Sequence, residues 1–487
     1  MQPAASLTTS PGTATALMAS GPVPFLDYVR APYSAAAAAQ APAGYATVRQ
    51  PGGTALVWPV AATAESGRLR RLGTVPVFGP VVPCDAAVLG GRWKQVAPVL
   101  AEDGEPVAWV CRAADGRIYL PFDPNATIAA CWSESYRAAE GGRAALRTAR
   151  SAYYRLRPLM PRPVQLGMRR AFSRVQGARS FPAWPAETGL HDLFDLLFSL
   201  LAELGGAPVP ALAPWPEDFR FALVLTHDVE TAAGYASIGV LREVEESLGL
   251  RSSWNLVPKR YAIDDEVVGE LGRAGFEVGV HGLYHDGRDF ESYETFSERL
   301  PEMQAWGRRL GAVGFRSPAT HRVWEWMPEL GFDYDSSYSD SAPYEPEPGG
   351  SCSWLPYLNQ EQVELPITLV QDHTLFEILR GDGRLWIEKA EIVRERGGMV
   401  LCLTHPDYML DPARIGAYRG LLARYADDPS CWHALPRDVA AWWRERDRSE
   451  LVPDGDGWAV AGPASSRARV EMLGEPGALE RIAGGSA

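Results

Sequence analysis

The sequence predicts an α/β fold whose second half is a parallel sheet or barrel with helices between its strands. Apolar, β-branched runs alternate there with segments of helical spacing: Phe221–Leu225, Val240–Leu248, Ser252–Val257, Asp265–Ala274 and Glu277–Val280. Strands that alternate with helices form βα units, and the ligand sites of such folds lie at the carboxyl ends of the strands. The chain has 487 residues, 46% of them hydrophobic, which is enough to form two or three domains with their own cores.

Charge and cysteine content narrow the class of protein. The chain has 47 basic and 60 acidic residues, a net charge of −13, so its field repels nucleic acid and we expect no nucleic-acid partner. The six cysteines are scattered and form no C-x-x-C pair. A signal peptide and a run of about 18 apolar residues are both missing. We therefore expect a reduced, cytoplasmic protein that does not span a membrane.

Five regions are expected along the chain. Residues 1–21 are rich in Ala, Ser, Thr, Pro and Gly, and we expect them to be disordered because they lack large apolar groups. Residues 22–205 are expected to form an N-terminal α/β plus helical domain of unknown function, followed by a Pro-rich linker at 206–217. The α/β domain then covers 218–447, and 448–487 form a C-terminal extension.

The N-terminal domain is expected to begin with short strands and to end in helices. Its β-like runs, separated by turn residues, are Thr54–Val60, Thr74–Val82, Pro106–Cys111 and Ile118–Pro121. Apolar residues recur at helical spacing within Ser133–Arg174, and the apolar helix His191–Leu204 ends at the C-cap candidate Gly205–Gly206. In the extension, Trp458–Val460 and Ala468–Met472 are expected to pair as one hairpin.

The first candidate chemical group follows the apolar strand in FALVLTHDVE, which ends at His227, Asp228 and Glu230. Because side chains alternate along a strand, Asp228 and Glu230 would point to the same side. One carboxylate could then bind a cation while the other accepts a proton. The alternative is that Asp228 caps a following helix.

The second group is a pair of histidines, His281 and His285, at the end of the strand in FEVGVHGLYHDGRD. On a helix, an i,i+4 pair places both imidazoles on one face, at a separation that suits a single zinc-like ion. Two histidines that are satisfied in the core or at the surface would give the same string.

Two further strand ends carry Arg316, in GAVGFRSPATHR, and His405, in MVLCLTHPDY. An arginine there can hold a carboxylate ionised and orient it, or simply make a structural salt bridge. The buried run Met399–Leu403 would deliver His405 to the same rim, although a lone histidine of this kind is more often a satisfied core residue. Four such groups at the strand ends of one α/β domain together favour a functional site.

The order and spacing of these motifs resemble the polysaccharide deacetylase family, also called NodB-homology or carbohydrate esterase family four, across roughly residues 218–447. LTHDVE is similar to the family's first motif, T-F-D-D-G, and HGLYH to its second, H-S/T-x-x-H. FRSPA is similar to the third motif, R-x-P-Y, and LCLTH to the fifth. Val229 stands where the family usually has a metal-binding Asp, so the chain resembles the D-x-D/E variant.

The resemblance implies a distorted (β/α) barrel of about seven strands that holds one divalent metal, most often zinc. His281 and His285 would be ligands, together with either Glu230 or Asp228. Asp228 matches the general base, and Arg316 matches the residue that pairs with this base. His405 matches the general acid. The backbone N–H near Ala319 would complete an oxyanion hole. For the Asp that tunes the acid histidine, the sequence leaves three candidates: Asp335, Asp340 and Asp372.

The activity that the resemblance implies is metal-dependent removal of an N-acetyl or similar N-acyl group from an amino sugar in a glycan or glycan precursor. The alternatives are an O-acetyl esterase or another C–N amide hydrolase, and a non-catalytic glycan-binding protein, which Val229 motivates. The polar and aromatic segment 334–357 is expected either to lie near a carbohydrate substrate or to pack on the barrel as a surface loop. The candidate substrate contacts are Ala319, Tyr284, Asp372 and Trp354. The oligomeric state stays open.

Overall fold

The computed structural model describes residues 17–19, 22–35, 41–50, 52–60, 68–139, 167, 170, 181–475, 477–479 and 481. Within these residues the strands form two large sheets, one in each half of the chain, and two small two-stranded sheets. All six cysteines are free thiols. None of the helices in this part of the chain combines the length and the apolar character needed to cross a bilayer.

The sheet of the N-terminal half has nine strands in the order β2-β1-β3-β4-β9-β8-β7-β5-β6. Its strands are β1 Leu17–Ala19, β2 Tyr33–Ser34, β3 Tyr45–Arg49, β4 Ala55–Pro59, β5 Arg70–Leu72, β6 Val75–Val77, β7 Trp93–Leu100, β8 Pro106–Ala113 and β9 Ile118–Tyr119. Its helices are α1 Pro24–Tyr28, α2 Ala86–Leu89, α3 Pro124–Trp132 and α4 Gly189–Gly205, with a 3₁₀ turn at Ser135–Ala139. Each of the four β-like runs expected from the sequence overlaps a strand.

Helix α4 buries one continuous apolar face, which includes Leu193, Leu197 and Leu200, against this sheet. The helix ends where the sequence predicts, because Gly206 adopts the left-handed conformation (φ 70°) that a C-cap needs. Leu17–Ala19 is a strand, so the prediction that residues 1–21 are disordered is wrong for these three residues. The rest of 1–21, and most of the expected helical stretch Ser133–Arg174, lie outside the described residues.

The second half contains a curled, mainly parallel sheet in the order β16-β17-β15-β14-β13-β12-β11-β18, with β19 also paired to β11. Its strands are β11 Phe221–Val229, β12 Ser253–Leu256, β13 Glu277–Val280, β14 Gly314–Phe315, β15 Tyr334–Asp335, β16 Tyr357–Asn359, β17 Gln362–Glu364, β18 Met399–Thr404 and β19 Cys431–His433. Only β16 and β17 pair antiparallel in this sheet. The fold is thus mixed α/β, as expected, and the closed ring of about seven strands stays a prediction.

Helices follow most of these strands. They are α5 Ala232–Ala236, α6 Ile238–Ser247, α7 Asp265–Arg273, α8 Tyr293–Leu310, α9 Arg384–Glu395, α10 Pro412–Tyr425 and α11 Pro436–Asp447. Several of them, such as α6, pack on one side of the sheet, whereas α11 packs in the core on the other side. Short turns of other helix types occur at Pro318–Thr320, Met327–Leu330, His373–Ile378 and Pro463–Ser466. Every alternating segment predicted between 221 and 280 has the expected type.

Side-chain alternation along β11 separates two apolar cores. Leu223, Leu225 and Val229 belong to the core that also contains helix residues such as Leu241. Ala222 and Val224 belong to the other core, with Leu401 and Leu403 of β18. Because strand side chains alternate, the even-numbered residues of β11 share one side, and that side carries Asp228 at the end of the strand.

The Pro-rich segment expected to be a linker is part of the fold. Residues Val209–Leu212 form β10, which pairs antiparallel with β22, Val470–Leu473. The expected hairpin in the extension is therefore wrong in its pairing. Strand β21, Gly457–Ala461, pairs with β20, Glu450–Asp454, instead. The pairing of β10 with β22 joins segments that local sequence pattern cannot connect, because the choice of so distant a partner depends on the surrounding tertiary structure. The pairing of β20 with β21 is a local hairpin with Gly455 and Asp456 in its turn.

The segment 334–357 is largely buried, so the alternative of a surface loop packed on the barrel is wrong for most of it, and its buried side chains are not exposed to a substrate. Tyr338 is 2% exposed and Cys352 is fully buried. The segment contacts the N-terminal half of the chain: Tyr136 Oη donates to the carbonyl of Gly350 (2.8 Å), and Ser341 Oγ donates to the carbonyl of Ala183 (2.7 Å). Three of the aromatic residues that suggested sugar stacking contact rings of the N-terminal half at this junction: Tyr344 packs on Trp184, Trp354 on His191 and Tyr357 on Trp132.

A buried acid at the start of β13, at the opposite end of the strand from His281, makes stability depend on pH. Glu277 accepts hydrogen bonds from Tyr334 Oη (2.8 Å) and from the backbone N–H of Arg437 (3.1 Å). Burial raises the pKa of Glu277 from 4.5 to about 7. Between these two values the folded protein binds more protons than the unfolded chain. The free energy of unfolding should therefore fall with rising pH, by on the order of 3 kcal/mol.

We expect Glu277→Gln to remove this dependence, because glutamine does not titrate. Urea denaturation at about pH 5 and about pH 8 measures it: between the two pH values the wild type should lose more stability than the variant, because only the wild type contains the Glu277 carboxyl. Glu270→Gln, at an exposed position of α7, is the control and should behave as the wild type. Equal pH dependence in Glu277→Gln and the wild type would contradict the assignment.

Candidate active site

The end of β11 places Asp228 among fixed donors. The side chain is 4% exposed, and its Oδ1 accepts from Asn255 Nδ2 (2.9 Å) and from Arg316 Nη1 (3.3 Å). It does not cap the next helix, because that role belongs to Thr231, whose Oγ1 accepts from the N–H of Gly234. The geometry therefore decides against the capping alternative.

Arg316 is the anchor of this carboxylate. Its guanidinium is 1% exposed and also donates to Thr226 Oγ1 (2.8 Å) and to the carbonyl and hydroxyl oxygens of Ser336 (2.8 and 2.7 Å). An arginine stays protonated, so its burial requires acceptors on every side. Burial would raise the pKa of Asp228, but the neighbouring His281 and Arg316 lower it below its ordinary value. Asp228 is thus a carboxylate at neutral pH.

The two histidines of the second motif come together on a loop, and the expectation that they share a helix face is wrong. Gly282, between them, has φ 61°, a conformation that favours glycine, and a Cβ there would lie 2.5 Å from Pro318 Cγ and from Asp289 Oδ2. His285 is also left-handed, with φ 55°. This turn brings the two imidazole rings to 5.2 Å between centroids.

Glu230, His281 and His285 each offer one ligand atom, and these atoms lie within 4.8 Å of one another. His281 Nδ1 donates to the carbonyl of Arg316 (3.0 Å), so the tautomer assigned from this hydrogen bond leaves a lone pair on Nε2. Burial lowers the pKa of His281 to about 4, which keeps the ring neutral.

The lone pair of His281 is what a cation would satisfy. Within the described residues Nε2 has no hydrogen-bond partner, and it lies 3.7 Å from Asp228 Oδ2. A neutral imidazole lone pair opposite a carboxylate is repulsive unless a positive charge lies between them. The donor set of two imidazoles and a carboxylate therefore fits a divalent ion such as zinc, with Glu230 as the carboxylate that joins both histidines.

His285 makes polar contacts with two residues, Glu230 and Arg260. Its Nε2 lies 2.8 Å from Glu230 Oε1, and Arg260 Nη1 donates to its Nδ1 (3.1 Å) and to its carbonyl oxygen (3.1 Å). Since a guanidinium only donates, Nε2 carries the proton in this arrangement. An ion bound at Nε2 would require that proton to leave.

His405 and Asp372 form the other half of the site. His405 Nδ1 lies 2.6 Å from Asp372 Oδ1, and the backbone N–H of His405 donates to Asp372 Oδ2 (2.7 Å). Burial opposes protonation of His405, but the Asp372 carboxylate outweighs it and raises the pKa of His405 well above its ordinary value. Its Nε2 lies 3.6 Å from Glu230 Oε1. The site thus contains a histidine that favours its protonated form, beside the three possible metal ligands.

The structure chooses among the three aspartates that the sequence left open. Asp340 pairs with Lys389 (2.8 Å), and Asp335 accepts from Ser337 Oγ (2.6 Å), so only Asp372 holds His405. The expectation that Asp372 contacts the substrate is wrong, because both of its oxygens bind His405. Its role is to orient that ring and keep it charged.

The structure places the remaining candidate residues in different surroundings. His227 faces away from the site and is a satisfied core residue, bonded to Thr404 Oγ1 (2.8 Å) and Glu245 Oε1 (2.6 Å). Trp354 is wrong as a substrate contact, because it is fully buried and donates to Asp340 Oδ2 (3.0 Å). Tyr284 is 42% exposed and stays a candidate substrate contact. Ala319 adopts a left-handed turn, with φ 53° and ψ 23°.

Sequence reasoning missed three residues that complete the site: Thr226, Asn255 and Ser336. Asn255 pairs in register with Asp228 across the parallel strands β11 and β12. The signal was available, since Asn255 is a polar residue in an otherwise apolar strand at the end that carries chemistry. Thr226 and Ser336 had no comparable signal, because only the position of Arg316 makes them acceptors.

Comparison with known proteins gives a likeness in structure only. Neither a family model nor a curated protein matches the chain. A putative polysaccharide deacetylase from Mycobacterium smegmatis is 20% identical, covers 51% of this chain and 97% of its own, and has a TM-score of 0.40. A probable polysaccharide deacetylase from Pseudomonas aeruginosa PAO1 is 19% identical, with 50% and 97% covered and a TM-score of 0.40.

Over half of its length the chain is thus similar to polysaccharide deacetylases of known structure, as its motifs indicate. An allantoinase matches to the same degree, at 16% identity, with 49% of this chain and 94% of its own covered and a TM-score of 0.40. A likeness at these values does not assign an activity. The chemistry has to be argued from the side chains of the site.

Replacing His281 or Glu230 by Ala should abolish binding of a divalent ion, because each change removes one of three clustered donors. Elemental analysis of protein purified without chelators should find roughly one ion per wild-type chain and under about a tenth of that in either variant. His433→Ala is the control, since this imidazole contacts the backbone of Arg251 instead, and it should keep the ion. Retention of the ion in both site variants would show that these residues are not its ligands.

Proposed function

We propose that the protein is a metal-dependent hydrolase that removes an N-acetyl or similar N-acyl group from an amino sugar in a glycan or glycan precursor. One observation carries the proposal. A buried carboxylate held ionised by Arg316 and an imidazolium held charged by Asp372 border the same three-residue cluster, Glu230, His281 and His285. Two titratable groups pushed to opposite protonation states are what paired base and acid catalysis requires.

Glu230, His281 and His285 would hold the ion, which polarises an acyl carbonyl and lowers the pKa of a bound water. Asp228 is suited to be the general base, because its Oδ1 is fixed by Asn255 and Arg316 while its Oδ2 faces the cluster. In this role the carboxylate accepts the proton of the attacking water. Arg316 keeps it from being protonated beforehand.

His405 is suited to be the general acid. When the tetrahedral intermediate collapses, the C–N bond breaks and the nitrogen takes the proton from Nε2, because an amine leaves poorly as an anion. Asp372 compensates the charge on the ring before that transfer. The need for a strong, preformed acid favours an amide substrate over an ester, whose alkoxide leaves more readily.

Two finer parts of the proposal have separate support. The amino sugar is supported by the four motifs that resemble the polysaccharide deacetylase family. Closure of the curled sheet into a distorted barrel is supported by a backbone hydrogen bond from Leu369 to Leu401 (3.1 Å), which joins the segment after β17 to β18. Val229 does not favour a non-catalytic protein, since its side chain lies in the apolar core and Glu230 supplies the carboxylate.

The direct test is acetate release from oligomers of N-acetylglucosamine. The wild type should release acetate and expose free amines, lose this activity after treatment with a chelator and regain it with zinc. Binding of the oligomers without release, by protein that contains about one ion per chain, would favour the non-catalytic alternative instead.

His405→Ala should lower amide hydrolysis by about 100- to 10,000-fold, because the amine then leaves without its proton donor. Hydrolysis of an activated acetate ester, whose leaving group needs no proton, should fall far less. Comparing kcat/KM for the two substrates measures the difference. An equal loss on both substrates would argue that His405 does not act as the acid.

Asp372→Asn should move the alkaline limb of the pH–rate profile to lower pH. The carboxylate raises the pKa of His405 against the effect of burial, so its neutralisation lets burial lower that pKa. As pH rises, the protonated form of His405 is then lost at a lower pH than in the wild type. The pH dependence of kcat/KM measures the shift, and an unchanged limb would mean that another group sets it.

A further inference from the structure

The loop that follows Arg316 adopts a conformation that its sequence does not favour. Ala319 and Thr320 are both left-handed, with φ 53° and 55°, although neither is glycine. Two consecutive residues of this kind persist only when the surrounding structure holds them. Pro318 of this loop lies against Gly282, between the two histidines of the cluster, and the family resemblance implies that the N–H of Ala319 serves the oxyanion. Whatever holds this turn would therefore also fix the donor's direction.

Arg322 holds the turn from one side. Its Nη1 donates to the carbonyl of Thr320 (2.7 Å), and its guanidinium lies over the ring of Tyr338, 5.0 Å from the centroid. On the other side, the N–H of Ser317 donates to Ser337 Oγ (2.9 Å). The Arg322 side chain is only 2% exposed, so its position depends on a buried counter-charge.

That counter-charge comes from the N-terminal half of the chain. Arg322 Nη2 donates to Glu134 Oε1, and the Glu134 side chain is 4% exposed. Its other oxygen accepts from Arg137 Nη1 (2.8 Å), and Arg137 in turn pairs with Glu347. Glu134 is thus the acid that links the N-terminal half to the turn that carries Ala319.

We propose that Glu134 is a positioning residue for hydrolysis, acting through Arg322 on the turn at Ala319 and Thr320. The N-terminal half then completes the active site and is not only an appended module. The proposal rests on the function proposed above. It makes Glu134 matter for the chemical step, whereas a purely structural ion pair would matter for stability alone.

The same buried cluster provides a matched control. The Glu347 side chain also joins the two halves, but it binds Arg137 and not the guanidinium of Arg322. Glu347→Gln therefore weakens the junction without releasing the turn. Glu134→Gln removes the charge that holds Arg322 while keeping the size of the side chain.

We expect Glu134→Gln to lower kcat on N-acetylglucosamine oligomers by about 10- to 100-fold with KM changed less than about threefold, because misplaced catalytic groups cost rate more than binding. Glu134→Asp should recover part of the loss. Glu347→Gln should keep the wild-type kcat. Arg322→Lys, which keeps the charge but not the planar fork, should resemble Glu134→Gln and provides a second test if that variant folds poorly.

A measurement that needs no activity separates this proposal from the proposed function. Amide hydrogen exchange of a peptide covering 316–323 should be faster in Glu134→Gln and Arg322→Lys than in the wild type and in Glu347→Gln. A wild type that releases no acetate but shows this exchange pattern would refute the function while supporting the positioning of the turn. Unchanged kcat and exchange in Glu134→Gln, or equal effects of Glu134→Gln and Glu347→Gln, would overturn the proposal.

Discussion

A permanently charged side chain in the interior determines how the second half of this protein is built. A guanidinium carries a positive charge at any ordinary pH, and at 1% exposure the Arg316 side chain is removed from bulk solvent. Moving an uncompensated charge into such a place costs far more than a folded protein can lose. The guanidinium is therefore surrounded by Thr226 and Asp228 from β11 and by Ser336 from the segment after β15. The hydrogen bonds that the guanidinium of this one residue requires thus fix the relative position of several strand ends.

The protonation states of the site follow from that arrangement. Arg316 helps to keep Asp228 ionised, and the carbonyl of the same residue accepts from His281 Nδ1, which leaves Nε2 of that ring as an acceptor facing the cluster. Asp372 produces the opposite state at His405 by placing a carboxylate 2.6 Å from Nδ1. An ionised carboxylate, a histidine that favours its protonated form and a cluster of three possible metal ligands therefore coexist, because the groups have different buried partners.

Buried polar contacts also join the N-terminal half to this site. The pairs of Glu134 with Arg322 and of Arg137 with Glu347 cross between the halves, as does the hydrogen bond from Tyr136 to Gly350. Removing one partner of such a pair leaves a buried charge unsatisfied, which makes the two halves interdependent. The segment 334–357 is buried for this reason, and its aromatic residues serve packing instead of sugar recognition.

Local pattern in the sequence was sufficient to predict the strands and helices between residues 221 and 280 and most of the residues that cluster at the site. Alternating apolar runs predicted the strands and helices of 221–280, and strand ends rich in His, Asp and Arg pointed to Asp228, Glu230, His281, His285, Arg316 and His405, which the structure brings together. These predictions depend on periodicity and on the rule that parallel strands end at one edge. They need no knowledge of which distant segments meet.

The tertiary structure decided everything that depends on a partner far away in the chain. HGLYH forms a loop through Gly282, and Asp372, not Asp335 or Asp340, lies beside His405. His227 and Trp354 are buried. Strand β10 pairs with β22, and Glu134 forms an ion pair with Arg322. The sequence could not decide these points, because an isolated His, Asp or Trp has the same local signature whether its partner is a metal, a substrate or another side chain. Burial and the geometry of the partner distinguish these cases, and both arise only when the chain has folded.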